Sequence, residues 1–199
     1  MKKSKAIICI IIICAVIVSG IYVLSPFPEK DKRTGSIPLR YAIDYEGMFE
    51  KQGRNQCSAF STAYILRFFG KDIEGARVYQ EIKYKIPVSG YVLPKGIIAY
   101  LKESGLNPHI YTGTLDNLKI RLTDGNPIIV LVGKNIRWQH YMTLIGFDSE
   151  KKELYFFDSG RNQDENGELP GNRTMTEEYF LSMWNNGLPV FNRVYITIE

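Results

Sequence analysis

Apolar and polar positions follow three successive patterns along this chain. From Ala6 to Leu24 (AIICIIIICAVIVSGIYVL) no residue is charged and no polar face interrupts the run. As a helix of 19 residues it would extend about 28 Å, enough to cross the hydrocarbon core of a bilayer. A core helix of a soluble domain is rarely apolar on every face. The next stretch, Ser25 to Arg40 (SPFPEKDKRTGSIPLR), is rich in proline and charge and reads as a linker. Beyond it, from Tyr41 to Glu199, the pattern is that of one folded domain.

Within that domain the first half has helical spacing. Ala59, Ala63, Leu66 and Phe69 lie on one face of a predicted helix, with Gly70 at its C-cap. Asp72 is placed to cap a second helix through Ile82. Pro94 opens a third that Gly105 closes, and Leu115 to Leu122 form a fourth before the Asp124-Gly125-Asn126-Pro127 turn. The period then changes. Ile128–Val132, Tyr141–Phe147, Leu154–Phe157 and Phe191–Ile198 are short apolar or alternating runs bounded by turn residues, hence strands. The turn Asp148-Ser149-Glu150 joins the second and third into a hairpin. Thr174 with Glu177 forms a capping box for a last helix reaching Trp184. Helices followed by an antiparallel sheet predict an α+β domain.

Charge and the N-terminus refine this picture. Lys2, Lys3 and Lys5 precede the apolar run, so positive-inside bias places residues 1–5 in the cytoplasm and the domain outside, as a signal anchor would. The run is longer than a usual signal-peptide core, although Val18-Ser19-Gly20 offers a weak cleavage site that would instead release a secreted protein. Without those three lysines the 25 basic residues fall to 22, against 21 acidic ones. A nearly neutral body has no electrostatic footprint for nucleic acid. No GxxxxGK[ST] phosphate-binding loop is present.

Cysteine usage supplies the candidate chemistry. Cys9 and Cys14 fall in the apolar run, which leaves Cys57 alone in the body. A single thiol in an exported domain is buried and inert, bonded to another molecule, or a nucleophile. Cys57 stands where the loop GRNQ meets the helix SAFSTAYILRFF. At a helix N-terminus the unpaired N–H groups and the dipole stabilise thiolate, and the same groups can hold an oxyanion. The chain contains two histidines to serve as base. His140 begins the strand YMTLIGFD; His109 lies in a helix-to-strand connection and reads as structural. Asp158 ends the following strand, where hairpin pairing would bring it beside His140, whereas Asp148 falls at the far end of that hairpin. Two distant histidines and one cysteine provide no metal-ligand spacing.

The ordered set QGRNQCSAFSTAY, WQHYMTLIGFD and LYFFDSG resembles the bacteriocin-leader, or double-glycine, peptidase family of papain-like cysteine peptidases, over roughly Tyr41 to Glu199. The resemblance implies a papain-like fold, a peptide or protein substrate, no cofactor and a thioester acyl-enzyme. Cys57 would be the nucleophile, His140 the base and then acid, and Asp158 the orienting residue. Gln52 would donate to the oxyanion, with Gln56 the weaker choice. Two positions depart from the family pattern: its glutamine commonly falls where Lys51 stands, and Ser58 replaces the glycine that follows the cysteine. These departures keep a catalytically inactive peptide-binding domain as one alternative. A transglutaminase-like acyltransferase, which uses the same Cys-His-Asp order, is the other. The family's transporter-fused members remove leader peptides; the single membrane segment here extends the fold and chemistry but not that substrate.

Overall fold

The computed structural model describes residues 2–45 and 47–199, with side chains from residue 7 onward. The apolar run is a single helix, α1 (Lys2–Leu24), and its segment Ile7–Leu24 is long and apolar enough to cross a membrane, with none of it buried in the protein. The side chains of Lys2, Lys3 and Lys5 lie outside the described residues.

Three helices follow two short strands, β1 (Glu29–Lys30) and β2 (Arg40–Ala42): α2 (Cys57–Phe68), α3 (Gly75–Glu81) and α4 (Pro94–Glu103). Then come β3 (Pro108–Thr112), α5 (Leu115–Leu122), β4 (Ile128–Lys134), β5 (Trp138–Asp148), β6 (Glu153–Phe157), β7 (Arg173–Thr176), α6 (Glu177–Trp184) and β8 (Val194–Ile198). The strands form one sheet in the order β1-β3-β8-β4-β5-β6-β7, with β2 on the end of β5. Every pairing is antiparallel except β1 with β3.

The sheet is buried on both faces, which explains the unbroken apolar run of β4. Ile129 and Leu131 join a core with α2, α3 and α4, while Ile128, Val130 and Val132 join a second core with α5 and α6. Such two-sided strands lose the alternation of a half-exposed strand. Every residue of α2 from Cys57 to Leu66 is buried, so α2 is the central helix. Its small Ala59 and Ala63 are fully buried and leave room for close approach to the sheet.

Three elements differ from the sequence expectations. The second helix starts at Gly75, with Glu74 rather than Asp72 at its N-cap. Tertiary contact fixes this start: Gly75 N donates to the Glu50 carboxylate at 2.9 and 3.1 Å, and a Cβ at 75 would lie 2.6 Å from the Phe60 ring. The last helix is capped by Thr176, whose hydroxyl accepts from Tyr179 N at 3.3 Å. Thr174 is drawn instead into β7, opposite Tyr155 of β6. Residues 25–40 lie along the domain rather than apart from it. Asp31 is buried against Arg121 Nε at 2.8 Å, β1 pairs with β3, and Leu39 O accepts from Ser149 N at 2.7 Å. A buried carboxylate needs such a partner, and Arg121 holds this part of the segment in place.

Candidate active site

The N-terminus of α2 is built without a side-chain cap. Gln56 occupies the N-cap position, yet its Oε1 accepts from Gly53 N at 3.0 Å, so the first N–H groups of the helix receive no side-chain acceptor. Cys57, the first residue of α2, is almost fully buried. Its thiol adjoins the His140 ring, which reaches it from β5. Beside it the rings of Tyr91 and Tyr141 stack with centroids 5.7 Å apart.

His140 is paired opposite Val132 of β4 and is 9% exposed. Its Nε2 lies 2.7 Å from Asp158 Oδ1, which leaves Nδ1 as the ring nitrogen available to the thiol. Trp138, two residues earlier on the same strand, stacks on the imidazole with centroids 5.9 Å apart. Burial alone would lower the histidine's pKa, but the hydrogen bond to Asp158 and the adjacent Cys57 outweigh it and raise the value to about 9.

Asp158 follows β6, where it is buried and held from several sides. Arg173 Nη1 donates to its Oδ2 at 2.6 Å, and Gly160 N to its Oδ1 at 2.8 Å. Burial would raise its pKa, yet His140 and Arg173 together hold the carboxyl well below the usual carboxylate range. Asn172 clamps the backbone of the same residue: its Oδ1 accepts from Asp158 N at 2.7 Å, and its Nδ2 donates to Asp158 O at 2.8 Å. Gly160 packs closely here: a Cβ would stand 3.1 Å from Asp158 Oδ1 and 3.3 Å from His140 Cε1, so a side chain would press on the pair.

Gln52 reaches this group through Ser159, the residue after Asp158. Ser159 Oγ donates to Gln52 Oε1 at 2.7 Å, and Gln52 N donates to Ser159 O at 2.9 Å. With its oxygen fixed, the amide turns its NH2 away from Ser159, where it makes one long 3.3 Å bond to Gly53 O. Thus Cys57, His140 and Asp158 come together from α2, β5 and the end of β6, and Gln52 is tethered beside them.

The other candidates fall elsewhere. Asp148 ends β5 at the opposite end from His140, where it bonds Arg40 and Lys151 N. His109 lies on β3, stacked on Tyr111 and 3.9 Å from Glu199. Arg173 and Asn172 were not singled out by sequence, because the expected cap at Thr174 concealed the strand β7 that carries Arg173. A groove of about 1020 Å³, lined by Tyr45, Phe49, Tyr64 and Phe157 among others, contains none of the three central residues. It meets the site only through Phe157 and Asn172.

Comparison with known proteins bears on the fold that carries this group. Among solved structures, a Bacillus anthracis protein described as a C39-like peptidase superposes with a TM-score of 0.59 at 16% identity, over 79% of this chain and 96% of the other. The peptidase domain of Streptococcus ComA, an ABC transporter, gives 0.56 at 18% identity, over 77% and 98%. A double glycine motif protease from an AMS/PCAT transporter, solved with its leader peptide, gives 0.53 at 17% identity, over 79% and 92%. At these identities the likeness is one of fold. No curated protein sequence matches the chain. Residues 41–187 match the model of the Peptidase_C39 like family. By that match, which spans most of its length, the chain belongs to the Peptidase_C39 like family.

Proposed function

We propose that the protein is a membrane-anchored cysteine peptidase whose catalytic domain lies outside the cytoplasmic membrane face and cleaves peptide bonds through Cys57, His140 and Asp158. The observation that carries this reading is the His140–Asp158 contact of 2.7 Å beside the thiol at the uncapped start of α2. α1, as an uncleaved anchor, would hold the domain at the membrane, with Lys2, Lys3 and Lys5 on the cytoplasmic side.

The chemistry follows from these positions. The Cys57 thiolate attacks the substrate carbonyl carbon, and its electron pair moves onto oxygen. The first N–H groups of α2 and the Gln52 amide receive that oxyanion. His140, as imidazolium, gives its proton to the leaving amine, and a thioester remains. Neutral His140 then takes a proton from water as the water attacks the thioester, releasing the acid and restoring the thiol pair. Asp158 keeps the ring oriented and stabilises its charge; Arg173 and Asn172 keep Asp158 in place.

Labelling tests the reading directly. An active-site-directed electrophile should modify Cys57 rapidly in the full-length protein, and His140→Ala should slow this at least tenfold. Equal rates in both would leave Cys57 a passive buried thiol and favour a peptide-binding role. Adding a primary amine to a turnover assay separates hydrolysis from acyl transfer, since an amidated product would indicate a transferase.

The pH profile gives a second check. The folded pKa of His140 is raised, so the imidazolium persists above the ordinary histidine value near 6.5 and is lost around about 9. The alkaline limb of kcat/KM should therefore fall near pH 9 rather than near 6.5. The same pair stabilises the fold fully below the unfolded value, and that contribution should fade as pH rises through the folded one. An alkaline limb near 6.5 would contradict this assignment.

A further inference from the structure

Outside α1 the most exposed large apolar side chain of the described residues is Val88, whose relative exposure is 110%. It stands at the apex of a small hairpin over residues 84–91. Ile86 N donates to Tyr91 O at 2.7 Å, Gly90 N donates to Ile86 O at 2.9 Å, and a bridge joins Lys85 to Val92. Val88 has φ 71°, a left-handed conformation that a β-branched residue rarely adopts. Ile86 is exposed beside it. This is an apolar tip held outward by the backbone, with no cavity of its own to fill.

The root of the hairpin touches the end of α1. The Tyr84 and Tyr22 hydroxyls are 3.3 Å apart, and their rings meet edge to face with centroids 6.3 Å apart. Lys95, at the start of α4, places its ammonium 3.4 Å from the Tyr22 ring centroid and bonds Tyr22 O. A tyrosine near the end of an apolar span, with a lysine against it, is the pattern of the membrane–water interface. Lys83 and Lys85 precede the tip but turn their ammonium groups back onto the domain, Lys83 to Glu103 at 2.7 Å and Lys85 to Ile82 O at 2.7 Å, so the tip itself is apolar.

We propose that the 84–91 hairpin docks into the outer face of the bilayer beside α1, with Val88 and Ile86 among the lipids. The proposal rests on the anchor reading of α1 given above. Its continuity with α1 through Tyr84, Tyr22 and Lys95 points to lipid rather than to a second protein copy. The docking has a consequence for the candidate active site. Asn55 Nδ2 donates to Ser89 O at 2.8 Å, so the loop leading to Cys57 is hydrogen-bonded to the docked hairpin. Tyr91, at its other end, stacks on Tyr141 next to His140. The cleft would thus open close to the membrane surface and take peptides presented there.

Environment-sensitive fluorophores attached at single cysteines decide the matter. Full-length Cys57→Ala protein is reconstituted in mixed phosphatidylcholine–phosphatidylglycerol bilayers, with the label at native Cys14, at Val88→Cys or at Glu150→Cys, the other cysteines being replaced by serine. Quenching by lipids with brominated acyl chains is compared with quenching by aqueous iodide. Labels at 14 and 88 should be quenched by brominated lipid, and iodide should quench position 88 severalfold less than position 150. Lipid quenching at 14 with none at 88 overturns the docking and leaves the anchor intact. Absence at both overturns the anchor and the docking together. Equal lipid quenching at 88 and 150 means unspecific adsorption, and protection of 88 only on adding a peptide means a substrate contact; either result overturns the proposal.

Discussion

Replacing Cys57 with serine should reduce peptide hydrolysis by on the order of 10³-fold or more while the fold is kept. The change replaces one atom, and Cys57 makes no hydrogen bond that caps α2. The chemistry differs sharply. A hydroxyl is a far weaker acid than a thiol, so serine does not hand its proton to His140 in the resting pair, and it is the poorer nucleophile. Gln52→Ala should cost less, on the order of 10² to 10³ in turnover, the scale of one oxyanion donor. The measurement is steady-state hydrolysis of a responsive peptide, with circular dichroism as the control for folding. Undiminished hydrolysis by Cys57→Ser would defeat the cysteine-peptidase assignment. Undiminished hydrolysis by Gln52→Ala would instead move the oxyanion role to the backbone of α2 and to Gln56.

The framework of this arrangement is legible in the sequence because local signals and tertiary demands agree there. Pro94 and Gly105 bound the helix α4, Gly70 at φ 78° follows α2, and the Asp148-Ser149-Glu150 turn joins β5 to β6. Where the two conflict, the tertiary contact wins. Thr174 and Glu177 satisfy the spacing of a capping box, yet pairing with β6 makes Thr174 part of a strand and passes the cap to Thr176. Residues 25–40 have a linker's composition, but composition does not register that Asp31 finds Arg121 and Tyr195. The site divides in the same way. Cys57, His140 and Asp158 are marked by residue type, order and element boundaries. Asn172 and Arg173 are marked by neither, since their role depends on a strand pairing more than a dozen residues away from Asp158. Ser58, the departure beside the nucleophile, is fully buried with its hydroxyl unpartnered.

Removing the Arg173 guanidinium should perturb both stability and the pH profile. Its guanidinium and His140 are the two cationic partners of a carboxylate that is 1% exposed. Arg173→Met keeps much of the aliphatic volume but loses the guanidinium bonds to Asp158 and Met142, leaving Asp158 with one counter-charge in a buried site. Breaking a buried pair from one side typically costs about 3–5 kcal/mol. For a domain of this size that corresponds to a fall in Tm of roughly 6–20 °C, at roughly 2–4 °C per kcal/mol. A purely structural arginine would do no more than this. One that shares Asp158 with the histidine must also alter the base, because losing the competing cation strengthens the Asp158–His140 interaction and raises the imidazole pKa further. The alkaline limb of kcat/KM, expected near pH 9 in the parent protein, should move upward in Arg173→Met. Asp158→Asn should move it downward while slowing turnover, since the ring then loses its anionic partner but keeps a neighbour of similar shape. Opposite displacements in the two variants, measured below their melting temperatures, would show Arg173 acting through Asp158 on His140. A lower Tm with an unmoved alkaline limb would confine Arg173 to holding β7 against β6.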